Sequence, residues 1–319
     1  MVSQLSFEKV FIVSLWLESL MYGFLLCLFL ASVYVNITLR RHQDGHSRIM
    51  FYIGIAMFLM ASIHVSMNCY RLVEGYVTHR SDPGGPAAYL GALAPWHHVF
   101  KDTIYASQEI FGDAVAIYRT YVIWGRNWRA IILPAALLIV GLISGYSVCG
   151  LYPTEAAGRT VFDPRLQHWI STFYAVSFVQ SFLTTGLMAF RIWQTDRRSK
   201  KYRADKGNLL PVMRILIESA ALQLLVEFIL LIMYAINLNA QFILLEIVTP
   251  IVGITFNAIT IRIAFRSSES MSNFTRSSEA NPSAHAIGEA RSMPMRHIKI
   301  NINQETEAVA DTESFSEAK

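Results

Sequence analysis

Five carboxylates, a histidine and an asparagine interrupt stretches of this chain that are otherwise apolar: Glu18, His64, Asn68, Glu109, Asp113, Glu227 and Glu246. A carboxylate held away from water attracts whatever is positive, so this set predicts a site for a cation, an amine or a proton. Glu18, His64, Asn68, Glu227 and Glu246 fall in the half of their segments that the charge bias below assigns to the outside. Glu109 and Asp113 run from that half to the middle. Together they predict an outward-facing acidic cavity. The plainer alternative is that these groups hydrogen-bond across helices and serve only as glue.

A second set, Arg119, Glu218, Asn257 and Arg262, falls in the inner half together with Arg214. An Arg119–Glu218 bridge would hold the inner face shut until a ligand bound outside, and a static stabilising pair is the alternative. Glu218 and Glu227 stand nine residues apart and point to nearly opposite sides of a straight helix. Catalytic patterns are missing: there is no Gly-x-Ser-x-Gly, His-Glu-x-x-His, phosphate-binding glycine loop or paired-cysteine motif. His42-Gln-Asp-Gly-His46 has ligand-like spacing but reads as a solvated turn. No catalytic residue, metal or cofactor is therefore expected, and the chain is not expected to be an enzyme. Of the three cysteines, Cys69 and Cys149 both fall at outer helix ends and are the candidate disulfide, whereas Cys27 reads as an ordinary helix-face residue.

The elements that must position these residues are seven apolar stretches, near Val13–Leu39, Ile49–Tyr70, Thr103–Trp124, Ala130–Gly150, Trp169–Trp193, Leu210–Ile236 and Phe242–Phe265. About 20 apolar residues cross the roughly 30 Å of bilayer hydrocarbon, and only helices satisfy their own backbone there. Composition agrees: 53% of the 319 residues are hydrophobic and only 16% charged. The prediction is an all-α, seven-transmembrane helix bundle over residues 1–265, with a disordered Ser-rich cytoplasmic tail over 266–319. The third stretch holds Glu109, Asp113 and Arg119, so it needs neighbours that shelter its polar face. Polar residues recur at helical spacing: Ser14, Glu18 and Tyr22; Tyr174, Ser177, Ser181 and Thr184; Gln223 and Glu227; Glu246, Pro250, Gly253 and Asn257. The fourth stretch offers only the small-residue face Gly141-Leu-Ile-Ser-Gly145, which predicts a peripheral position.

Orientation follows from Lys and Arg in short loops. One side carries Arg40, Arg41 and Arg48, then Arg126 and Arg129, then the most basic loop, 197–206. The loops of the other side are charge-poor or offset by acids, Arg71, Arg80 and Lys101 among them by Glu74, Asp82 and Asp102. That predicts the N-terminus outside and the C-terminus in the cytoplasm. The basic loop 197–206 is expected to meet anionic lipid or a cytoplasmic signalling protein. Phosphorylation of the tail serines, Ser267 to Ser278, would change the charge at the inner face. A net charge of +4 without basic patches in a soluble domain excludes nucleic acid as an expected partner. The expected membrane is, by default, the plasma membrane.

Two segments carry a resemblance. Asp113-(x5)-Arg119-Thr-Tyr-Val-Ile-Trp-Gly-Arg-Asn-Trp128 ends the third stretch, and Pro250-Ile-Val-Gly-Ile-Thr-Phe-Asn-Ala-Ile-Thr-Ile-Arg262 lies in the seventh, ahead of the Ser-rich tail. In these features the chain resembles the large, functionally uncharacterised group of seven-helix membrane proteins of mushroom-forming basidiomycete fungi. The resemblance covers roughly 11–265 and implies a multi-pass membrane protein, with no ligand or activity attached. Similarity to G-protein-coupled receptors is distant and architectural. Tyr118-Arg119-Thr120-Tyr121 lacks the acid before the arginine, and Thr249-Pro250-Ile-Val-Gly253 stands where that class has Asn-Pro-x-x-Tyr. The leading expectation is a receptor-like sensor for a small outside ligand. The alternative is a proton- or cation-coupled transporter or channel, which the absence of an internal repeat weakens.

Overall fold

The computed structural model describes residues 6–38, 45–154, 161–199 and 210–279, with the side chains of 45–47, 199, 210–217, 219 and 263–279 outside that description. The basic residues Arg40, Arg41, Lys200, Lys201, Arg203 and Lys206, the His42–His46 pair, the side chain of Arg214, and the tail from 280 onward thus lie outside the described residues. Every one of the seven apolar stretches is a helix. In chain order the α-helices, with one short extra helix between the second and third stretches, are α1 Phe7–Thr38, α2 Gly45–Val73, α3 Gly85–Gly91, α4 Trp96–Ile123, α5 Ile132–Leu151, α6 Pro164–Ser199, α7 Leu210–Ala235 and α8 Gln241–Glu279. No strand occurs among the described residues. The chain divides into two units, Met1–Asn273 and Phe274–Lys319, and the first holds the bundle.

Among the described residues, five helical segments are long and apolar enough to cross a membrane: Phe7–Thr38, Arg48–Thr78, Trp128–Thr154, Pro164–Arg198 and Gln241–Arg262. In α7, Ala220–Ala235 forms a shorter apolar helix among the described residues. α4 does not qualify, because Lys101, Asp102, Glu109, Asp113 and Arg119 all lie in it. α8 extends past the predicted boundary at Phe265, to Glu279, and the rest of the predicted tail lies outside the described residues.

The distribution of residues is inverted relative to a water-soluble bundle. Large apolar side chains face outward, with Trp16 and Phe182 each 64% exposed and Phe24, Leu59, Ile139, Ile143 and Leu225 exposed as well. The interior holds Glu18, His64, Arg71, Lys101, Gln108, Glu109, Gln180 and Glu246. Charged groups almost never bury fully in water-soluble proteins. In hydrocarbon the preference reverses, since lipid tails solvate apolar side chains and the bundle interior shelters polar ones.

Helix α8 runs through the middle. Its residues from Glu246 to Phe256 are buried apart from Ile254, which is partly covered. Small residues admit its neighbours: a Cβ added at Gly253 would come within 3.0 Å of Leu25, and one at Gly112 within 2.7 Å of Val252 Cγ1. α5 lies at the edge, as its composition predicts. It exposes Ile139, Val140, Leu142 and Ile143. It turns Gly141, Ser144 and Gly145 toward α6, where a Cβ on Gly145 would meet the Phe173 ring at 2.9 Å. α1 and α2 are joined by the stacked pair Phe29–Phe58, centroids 4.2 Å apart, and by Tyr22 Oη and Ser62 Oγ at 2.8 Å. Between α2 and α4, the chain turns just ahead of α3. Gly84 and Gly85 take positive φ of 89° and 60°, and Pro86 occupies the first turn of α3.

Candidate functional site

α1, α2 and α8 bring four of the predicted residues together at the end of the bundle where α1 begins. His64 Nδ1 lies 2.6 Å from Glu18 Oε1, and Asn68 Nδ2 donates to Glu18 Oε2 at 2.6 Å. His64 Nε2 faces Glu246 Oε2 at 3.5 Å. Four residues separate His64 from Asn68, so one face of α2 presents both to the same carboxylate.

Two residues read as outer-loop cations complete this cluster instead of neutralising acids in water. Lys101 is 2% exposed, and its ammonium group donates to Glu246 Oε1. It also lies 3.6 Å from Asp102 Oδ1. Arg71 donates from Nη1 to His98 Nδ1 at 3.0 Å and from Nη2 to the Leu90 carbonyl at 2.8 Å. Because a guanidinium only donates, His98 Nδ1 is the lone-pair nitrogen of a neutral ring. Asp102 in turn accepts from the Tyr152 hydroxyl. The result is a continuous buried chain of Glu18, His64, Glu246, Lys101 and Asp102 that reaches Arg71 through the neutral His98, tying α1, α2, α4 and α8 and the carbonyl end of α3. Its three carboxylates face two cations and an imidazole, so it is close to charge balance. The signal for Lys101 and Asp102 was present: Asp102, Glu109 and Asp113 share one face of α4 once the helix starts at Trp96. Arg71 carried a similar signal, since it continues the His64–Asn68 face of α2 three residues on, but it sits where the apolar run ends.

Glu18, His64 and Glu246 also bring three potential metal-ligating atoms within 4.8 Å of one another. Their oxygens are committed differently. Glu18 accepts from His64 and Asn68, and Glu246 Oε1 accepts from Lys101, whose ammonium occupies the position of a cation. Glu18 and His64 form a hydrogen-bonded pair, and Glu246 Oε2 faces His64 Nε2 at 3.5 Å without a hydrogen bond.

The other three predicted carboxylates gather nearer the middle, between α4, α6 and α7. Ser177 Oγ donates to Glu109 Oε1 at 2.7 Å. Gln223 Nε2 and Ser181 Oγ donate to Glu227 Oε1 at 2.7 and 3.2 Å. The carboxyl groups of Glu109 and Glu227 lie within hydrogen-bond reach of one another. Among the described residues, Glu109 Oε2 and Glu227 Oε2 have no donor. Asp113, one turn beyond Glu109, lines a cavity of about 60 Å³ shared with Arg119, Ser181, Thr184 and Gln223. Ser177, Ser181, Thr184 and Gln223 were all legible as stripes.

The seven outer and central residues therefore form two clusters, not one outward-facing acidic chamber. The first is filled by Lys101. The open space lies beside Asp113 and reaches toward the opposite end of the bundle.

At that opposite end the Arg119–Glu218 bridge does not form. Glu218 is exposed, which also resolves the opposed directions of Glu218 and the buried Glu227. Arg119 turns to α8: its guanidinium sits 4.5 Å from the centroid of the Phe256 ring and donates to Thr260 Oγ1 at 3.0 Å and to the Phe256 carbonyl at 3.4 Å. Asn257 is buried and donates to the Gly253 carbonyl at 2.9 Å, whereas Arg262 is exposed. Cys69 and Cys149 are not bonded. Cys69 is exposed on α2 and Cys149 is buried against Asp102 and Phe173 around a small cavity, and all three cysteines are free. Comparison with protein-family models, curated proteins and solved structures finds no match for this chain.

Proposed function

We propose that this protein is a seven-helix integral membrane protein acting as a receptor-like sensor, with its N-terminus outside, its C-terminus in the cytoplasm and the plasma membrane as its site. The observation that carries the reading is the way α4 and α8 are tied. Lys101–Glu246 joins them at the end where α1 begins, Gln108 Nε2 approaches the Thr249 carbonyl at 3.4 Å in the middle, and Arg119 holds Phe256 and Thr260 at the far end. A small cationic ligand competing for Glu246 or Glu18 would release Lys101. The displacement would pass along two rigid helices to the Arg119 contact, which would open as the Lys101 contact is released. No catalytic step belongs to this reading. The basic loop 197–206 is the surface offered to anionic lipid or to a signalling partner.

The test is a spin-label distance between the far ends of α4 and α8, measured in nanodiscs across a panel of small amines. The same panel is then run for nucleotide exchange on co-expressed G proteins. The expected result is a ligand that both shifts the distance distribution and accelerates exchange, with neither effect in Glu246→Gln. A distance that no amine moves, together with unchanged exchange across the panel, overturns the reading.

A further inference from the structure

We infer that Glu109 and Glu227 form a buried proton-binding site, a carboxyl–carboxylate pair that shares a single proton between its two facing groups. The inference holds whether or not the bundle signals. An ionised carboxylate only accepts, so two such groups brought within hydrogen-bond reach need a proton or a cation between them. Here each residue has one oxygen served by hydroxyl or amide donors and one with none. Glu109 is 2% and Glu227 4% exposed, so water does not supply the missing donor. A buried acceptor without a partner is rare in folded proteins and asks for one.

The surroundings decide between proton and cation. The titratable groups facing the pair are Asp113 and Tyr105 on α4, with Asp102 and the Tyr174 hydroxyl of α6 beyond Tyr105. None of these is cationic. α2 and α8 contribute Met57, Val252 and Phe256 to the adjoining wall, which has no charge to offer. Lys101 is committed to Glu246 and Asp102, and Arg119 to Phe256 and Thr260. The cavity lies past Asp113 and does not include the glutamates among its lining residues, so a hydrated ion would sit at Asp113 and not between them. A proton needs no room. About 60 Å³ holds roughly two waters, and these give the buried proton a path to exchange: from the pair to Asp113, and from Asp113 to cavity water.

The experiment is infrared spectroscopy of the full-length protein in nanodiscs at neutral pH, reading the C=O stretch of protonated carboxylic acids. The expected result is one such band, which shifts to lower frequency in D₂O. It should also shift when glutamate is carboxyl-labelled with ¹³C and stay when aspartate is labelled, a comparison that needs no variant. The band should vanish in both Glu109→Gln and Glu227→Gln, where the new amide N–H replaces the shared proton, and persist in Asp113→Asn. Four results overturn the assignment: no protonated carboxyl band in the wild type, a band that moves with labelled aspartate, a band that survives both glutamine variants, or one that sodium abolishes at constant pH.

Discussion

Replacing Lys101 by methionine tests the buried network at its most exposed point of logic. Lys101 and Glu246 are 2% and 1% exposed, and Asp102 Oδ1 lies 3.6 Å from the same ammonium group. At an effective dielectric near 20, two unit charges about 4 Å apart attract by about 4 kcal/mol. Desolvation of the two ions costs several kcal/mol each, so the intact pair contributes little net stability. Removing only the lysine leaves the cost of Glu246 without the attraction that offsets it. Lys101→Met should therefore destabilise the bundle by about 3–5 kcal/mol. Glu246→Met should cost a similar amount, because it strands Lys101. The double variant should recover most of the loss, since methionine fills comparable volume on both helices and leaves no unpaired charge between them. The assay is a double-mutant cycle on reversible unfolding in mixed micelles, which isolates the coupling between the two positions. A coupling energy above about 2 kcal/mol is expected for a buried pair of this kind. Single variants that cost less than about 1 kcal/mol, or a double variant that costs the sum of its singles, would show that water reaches this pair and that the network is not buried as described.

Three further outcomes follow from packing and chemistry. Gly112→Ala sets a methyl group 2.7 Å from Val252 Cγ1, so it should destabilise by about 1–3 kcal/mol, and Val252→Ala in the same chain should restore part of the loss; an unchanged unfolding midpoint refutes the close approach of α4 to α8. Arg119→Gln keeps a donor but loses the cation over Phe256, 4.5 Å from its centroid, worth about 0.5–2 kcal/mol. It should also raise the maleimide reactivity of a cysteine placed at Thr260, and unaltered reactivity contradicts the Arg119–α8 contact. Mass spectrometry after thiol labelling of the folded protein should show Cys69 modified and Cys149 protected until unfolding, with no mass difference on reduction; a two-hydrogen gain on reduction would restore the disulfide.

Much of the bundle was legible because helix formation and facing are local. An apolar run of about 20 residues has one way to satisfy its backbone in hydrocarbon, and polar residues spaced by three, four or seven must share a side of that helix. That logic placed Glu18, His64, Asn68, Glu109, Asp113, Glu227, Glu246 and Asn257 in the interior and put α5 at the edge. It misled where an apolar run ended before its helix did. Residues 71–101 read as an outer loop, yet Arg71 still belongs to α2 and Lys101 to α4, and both ends turn inward. It also misled at Arg119, where sequence proximity to nothing in particular made Glu218 an attractive partner and Phe256 and Thr260 of α8 took the role.

Period and hydropathy are carried by neighbouring residues, so the chain by itself determined that it is helical and which residues look inward. Partnership is not local. Which acid meets Lys101, which arginine closes on which helix, and whether five carboxylates make one chamber or two clusters depend on how the helices turn and tilt against each other. Only the tertiary structure decided these, because a rotation of one helix by a fraction of a turn exchanges one partner for another while leaving every local preference satisfied.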